Sequence, residues 1–123
     1  MIMERLKILI CEDESDSKKA LTDLLAKRNY EIFTASDGEE SIEKAKRLKP
    51  DLMLLDIRMP KVDGIEVARE IRKFDSGVKI IFITAFESPE LCRESMQYDI
   101  SDYLVKPLPP EAILKSLREA LLK

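Results

Sequence analysis

The stretch LMLLDIRMPKVDG, Leu52 to Gly64, decides how the rest of the chain is read. Its first four residues are apolar throughout rather than alternating, the pattern of a strand covered on both faces of a parallel sheet. The run stops on Asp56, so a carboxylate follows four buried-type side chains directly. A charge in that position is costly unless it is paired or bound to a metal, which makes Asp56 the acid most in need of a function.

Working outward, the same kind of run recurs at Leu6 to Cys11, Tyr30 to Ala35, Val78 to Ile83 and Tyr103 to Val105. Helical periodicity fills the intervals. The first helix is expected from about Ser15 to Arg28, with Leu21, Leu24 and Leu25 inward, and the second opens on Ser36 and Glu39 as an S-x-x-E capping box. The third carries Ile65, Ala68 and Ile71 and is expected to stop near Ser76-Gly77, where glycine tolerates a left-handed cap. Ser88-Pro89 starts the fourth, the least apolar, with Leu91, Cys92 and Met96 at useful spacing. The fifth runs from about Pro110 to the end, with Ile113, Leu114, Leu117 and Leu121 inward. Five strands alternating with five helices predict an α/β fold, a doubly wound five-stranded parallel sheet. One domain is expected over residues 1–123.

Composition narrows the functional classes. The chain has 123 residues, 45% hydrophobic, with net charge −3 and 21 basic residues that form no run. A basic face able to offset nucleic-acid phosphates is therefore not expected, and Lys44, Lys46, Arg47 and Lys49 read as a solvated helix face. Cys11 and Cys92 have no CxxC spacing and read as two reduced thiols, which with the lack of a signal-peptide pattern or a membrane-length apolar run predicts a cytoplasmic protein. Histidine is absent, which removes the commonest general base and transition-metal ligand.

In open α/β sheets, ligands bind beyond the carboxyl ends of the strands. Strand one ends in Cys11-Glu12-Asp13, strand three in Asp56 and strand four in Thr84, while strand five is followed by Lys106-Pro107. Taken singly, Glu12 and Asp13 read as acids favoured at a helix N-terminus, Thr84 as a strand-end hydroxyl and Lys106 as a solvated loop charge. Taken together, three acids, a hydroxyl and an ammonium converge on one sheet edge. Crowded carboxylates repel unless a cation intervenes, and an all-oxygen site with few protein ligands suits Mg²⁺. The set points to phosphoryl transfer by positioning and charge stabilisation, with a carboxylate as nucleophile.

The chain resembles the receiver domain of response regulators in two-component signalling. The residues that carry the likeness are Glu12-Asp13, LLDIRMPKVDG around Asp56, Thr84-Ala85, and Tyr103-Leu104-Val105-Lys106-Pro107. The resemblance implies a flavodoxin-like receiver fold in which Asp56 is the phospho-acceptor. It implies Mg²⁺ held by Asp13, by Glu12 mainly through water, by Asp56 and by the backbone carbonyl of Arg58. Lys106 and Thr84 would stabilise the phosphoryl group, the Lys106-Pro107 peptide would be cis, and Thr84 with Tyr103 would form a switch reshaping the face of helix four, strand five and helix five. The donor would be a histidine kinase or histidine phosphotransferase on another molecule. The recipient would be a downstream protein or an attached output domain, and a monomer could dimerise on phosphorylation. Beyond assisting its own phosphorylation and dephosphorylation, no enzyme activity is expected.

Two features depart from the family pattern. The first acid is Glu12 where aspartate is frequent, and Tyr98-Asp99-Ile100-Ser101 stands where a Gly-Ala pair is typical, with Asp99 at the glycine position. Arg58 and Phe86 occupy positions that in the family influence phosphoryl lifetime. Two alternatives stay open: a receiver-like interaction module that works without phosphorylation, and a haloacid-dehalogenase-like phosphatase. The latter needs an aspartate two residues after its nucleophile, where this chain has Arg58. A dinucleotide-binding module would need a glycine-rich loop after strand one, and that segment is acidic.

Overall fold

Each apolar run becomes a strand in a computed structural model that describes residues 5–122: β1 Lys7–Cys11, β2 Glu31–Ala35, β3 Leu52–Leu55, β4 Lys79–Thr84 and β5 Asp102–Val105. All four pairings are parallel, in the order β2-β1-β3-β4-β5. The connecting helices are α1 Ser15–Ala26, α2 Gly38–Leu48, α3 Gly64–Arg72, α4 Pro89–Ser95 and α5 Pro110–Leu121, with a 3₁₀ turn over Met96–Tyr98 after α4.

Alternation along the strands sorts the core into two layers, because successive side chains point to opposite faces. Leu9, Met53, Leu55, Ile80 and Phe82 pack with Ile65, Ala68 and Ile71 of α3 on one face. Ile8, Ile10, Leu52, Leu54, Ile81 and Ile83 pack with Leu21, Leu25, Ile113, Leu114 and Leu117 of α1 and α5 on the other. Each fully buried Leu or Ile contributes about 1.5–3 kcal/mol, so β1, β3 and β4 form the rigid centre. The register sets Cys11 opposite Leu55, so β1 and β3 end side by side. The chain order therefore brings their terminal acids together.

Several element ends differ from the sequence expectation. The N-cap of α2 is Asp37, whose carboxylate accepts from the Glu40 amide at 2.8 Å, while Glu40 accepts from the Ser36 amide at 2.6 Å. The N-cap thus lies one residue later than Ser36, and Glu40 reaches back past it to the Ser36 amide, with Gly38 beginning the helix against Val62. A Cβ at Gly38 would lie 2.0 Å from the Val62 carbonyl oxygen. Helix α3 ends at Arg72, before Ser76-Gly77, and Gly77 is not left-handed. Instead Asp75 Oδ1 accepts from the Gly77 and Val78 amides at 2.9 and 3.0 Å, an Asx turn that closes the segment without positive φ. Helix α1 stops at Ala26 and the chain turns through Asn29 at φ 65°. Met96 is 58% exposed, and Ser95 takes the inward place at the end of α4, bonding the Cys92 carbonyl at 2.7 Å. Asp99 does take the left-handed conformation, φ 54° and ψ 53°.

Candidate functional site

Three acids meet at the carboxyl ends of the central strands. Glu12 extends β1, its amide donating to the Ala35 carbonyl, and Asp56 extends β3, its amide donating to the Cys11 carbonyl, both at 3.0 Å. One carboxylate oxygen from each of Glu12, Asp13 and Asp56 lies within 4.8 Å of the others. Glu12 is 2% and Asp56 7% exposed, while Asp13 faces solvent. The loop after Asp56 folds back tightly: the Gly64 amide donates to the Ile57 carbonyl at 2.7 Å. A Cβ at Gly64 would sit 2.3 Å from the Asp56 carbonyl oxygen, so only glycine fits there.

Lys106 reaches in from beyond β5, its amide donating to the Thr84 carbonyl at 2.8 Å, and its peptide bond to Pro107 is cis. The ammonium divides unequally between two acids. Nζ donates to Glu12 Oε1 at 2.6 Å and stands 4.0 Å from Asp56 Oδ2. It also donates to Ser17 Oγ at 2.9 Å, a contact that strand-end reasoning did not find. Its signal in the sequence was only a hydroxyl one turn into a helix that starts beside the acids.

Charge follows this geometry. Burial pushes the Asp56 carboxyl up, and the negative charge of Glu12 adds to it, reaching about 6; the Arg58 amide, donating to Oδ1 at 3.1 Å, opposes them. Glu12 moves the other way. Burial raises it, but the Lys106 hydrogen bond, the Glu14 amide and the Lys106 charge together hold it below the usual carboxylate value. Asp56 is thus the undercompensated acid of the pair. Oxygen-only donors, clustered and short of positive charge, fit a hard divalent cation such as Mg²⁺ and offer no nitrogen or sulfur for zinc or copper.

Beside Asp56 a cavity is lined by Asp56, Arg58, Thr84, Ala85 and Phe86. Thr84 is 1% exposed, and its Oγ1 accepts from the Phe86 amide at 3.2 Å. The Arg58 guanidinium lies over the Phe86 ring at 3.9 Å, at the rim of this cavity. Tyr103 is half-buried on β5, its hydroxyl donating to the Phe86 carbonyl at 3.3 Å and its ring 6.2 Å from that of Phe82. The fold thus gathers Glu12, Asp13, Asp56, Thr84 and Lys106 at one sheet edge, with Tyr103 joined to Thr84 through hydrogen bonds to the Phe86 backbone.

Residues 8–118 match the family model described as the response regulator receiver domain. The chemotaxis protein CheY of Thermotoga maritima is 34% identical over 114 residues, 92% of this chain and 95% of that protein. The alkaline phosphatase synthesis transcriptional regulatory protein PhoP of Bacillus subtilis is 36% identical across 87% of this chain, which spans only 45% of its length. The crystal structure of the CheX-CheY-BeF3-Mg²⁺ complex from Borrelia burgdorferi contains a chain that superposes with TM-score 0.91 at 31% identity, covering 96% of this chain and 90% of that one. Among the described residues no helix is long and apolar enough to cross a membrane. A parallel sheet in this order, acids at its central strand ends and a family match over nearly the whole length lead to one assignment: the chain belongs to the response regulator receiver domains of two-component signalling.

Proposed function

We propose that Asp56 is the phospho-acceptor of this receiver domain, taking a phosphoryl group from a histidine kinase or histidine phosphotransferase. A carboxylate oxygen of Asp56 forms the new P–O bond as the donor's P–N bond breaks and the histidine leaves with the bonding electron pair. The observation that carries this reading is the unequal sharing of Lys106, which leaves a buried acid undercompensated next to an open cavity.

Asp13, Asp56 and the Arg58 carbonyl would hold Mg²⁺, with Glu12 acting mainly through water. When bound, Mg²⁺ supplies the positive charge that lets a phosphoryl dianion approach the acids. The Borrelia relative, a CheY in a complex that includes BeF3 and Mg²⁺, supports that ligand class. Lys106 would pair with a phosphoryl oxygen, and the Thr84 hydroxyl would turn from the Phe86 amide to donate to another. Tyr103 would then move inward and change the face made by α4, β5 and α5, which a downstream protein or output domain reads.

Incubation with acetyl phosphate and Mg²⁺, followed by intact mass measurement, tests the assignment. Wild type should gain one phosphate and Asp56→Asn none. Equal modification of both would move the acceptor elsewhere. A generic phosphomonoester should not be turned over, because Arg58 replaces the acid that a haloacid-dehalogenase-like enzyme requires.

A further inference from the structure

Ser17 is a side chain at the site to which neither the family likeness nor the strand-end pattern assigns a task. We infer that Ser17 is a positioning residue for Lys106, holding the ammonium beside Asp56 ready for an arriving phosphoryl oxygen; this rests on the phospho-acceptor reading of Asp56. An ammonium has three donors. Two are occupied, by Glu12 Oε1 at 2.6 Å and Ser17 Oγ at 2.9 Å, and these acceptors belong to different elements. Glu12 directly follows β1 and Ser17 lies in the first turn of α1, so Nζ is fixed from two directions. Asp56 Oδ2 at 4.0 Å is outside hydrogen-bond range, which leaves the third donor uncommitted on the side where the phosphoryl group would form.

The chemistry of serine suits the task. A hydroxyl accepts from the ammonium without adding negative charge, so it does not compete with an incoming dianion as another carboxylate would. Ser17 is itself held: its amide donates at 2.7 Å to Oε2 of Glu14, the N-cap of α1. Without the hydroxyl, a flexible four-carbon stem ends on a single fixed acceptor, and the ammonium samples positions away from Asp56.

The test is the rate of Asp56 phosphorylation by acetyl phosphate at fixed Mg²⁺, followed by intact mass across donor concentrations for wild type, Ser17→Ala and Ser17→Thr. Alanine is a strong helix former, so the fold should persist, which the melting temperature checks. Ser17→Ala should lower the maximal rate by about three- to tenfold, the net worth of one ordinary hydrogen bond, with little change in half-saturating donor. Ser17→Thr, which keeps the hydroxyl, should restore most of the rate. An Ala variant as fast as wild type, or a Thr variant as slow as Ala, overturns the inference. Failure of wild type itself to take up phosphate instead removes the phospho-acceptor reading on which it stands.

Discussion

Lys106 cannot neutralise two acids equally, and the result is a built-in tension at Asp56. The native Asp56 keeps its proton to about pH 6, whereas the unfolded chain releases it near the ordinary aspartate value of 3.8. Between those values the native state binds more protons, so this group's contribution to stability falls as pH rises through the window and stays low above it. Glu12 acts oppositely: its stabilising contribution is present above its ordinary value and is lost as pH falls. Asp56→Asn in metal-free buffer should therefore raise the melting temperature by several degrees at pH 7.5, with the advantage shrinking toward pH 4. A gain that is the same at both pH values would show that the charge is not its cause. The sequence reveals Glu12, Asp13, Asp56, Thr84 and Lys106 as a group because each follows a strand, and parallel strands end on one edge. It does not reveal which acid Lys106 prefers, because that depends on a rotamer and on how closely the first turn of α1 brings Ser17.

Helix ends show where local reading stops being sufficient. The S-x-x-E pattern at Ser36 and Glu39 is a sound capping signal, yet the cap forms at Asp37 and Glu40 because Gly38 packs beneath Val62. A contact between distant segments decides between two locally acceptable caps. Gly64 is a stricter case of the same constraint. Gly64→Ala should cost about 2–4 kcal/mol, because the new methyl meets backbone of the Asp56 loop rather than a side chain able to move. Chemical denaturation would measure this, and a loss under about 0.5 kcal/mol would mean that the loop yields easily. At the other end of α3, Arg72 donates to the carbonyls of Tyr98, Asp99 and Asp75 at 2.7, 3.0 and 3.1 Å. This fork ties α3 to the exit of the 3₁₀ turn after α4, where Asp99 adopts its left-handed backbone. Arg72→Ala should destabilise the fold by about 2–3 kcal/mol and speed amide exchange over residues 92–101. Unchanged exchange there would show that α4 is held by other contacts.

Strand order belongs to the whole molecule, and it is only partly legible in the chain. The runs of β1 and β3 are wholly apolar at their centres, as interior strands demand, whereas Glu31-Ile32-Phe33-Thr34 and Asp102-Tyr103 mix polar with apolar residues, as margins allow. Which margin each would occupy required the three-dimensional pairing. The same order explains why a cation should stabilise the entire domain. Mg²⁺, if held by the acids that follow β1 and β3 as proposed, would favour the native state by about 2.7 kcal/mol at a hundredfold excess over its dissociation constant. Thermal melts should therefore rise with added Mg²⁺ in wild type and hardly at all in Asp13→Asn. An equal rise in both would place the cation elsewhere. Finally, β5 is hydrogen-bonded on one side alone, and all four of its residues are half-buried. The sheet behaves mechanically like a plate clamped along its middle with two loose borders, β2 and β5, of which β5 carries Tyr103. A ring that rotates at the β5 border disturbs few neighbours, whereas the same motion in β1 or β3 would tear open a packed layer, so the proposed switch could carry news of an event at the clamp out of the domain without melting it.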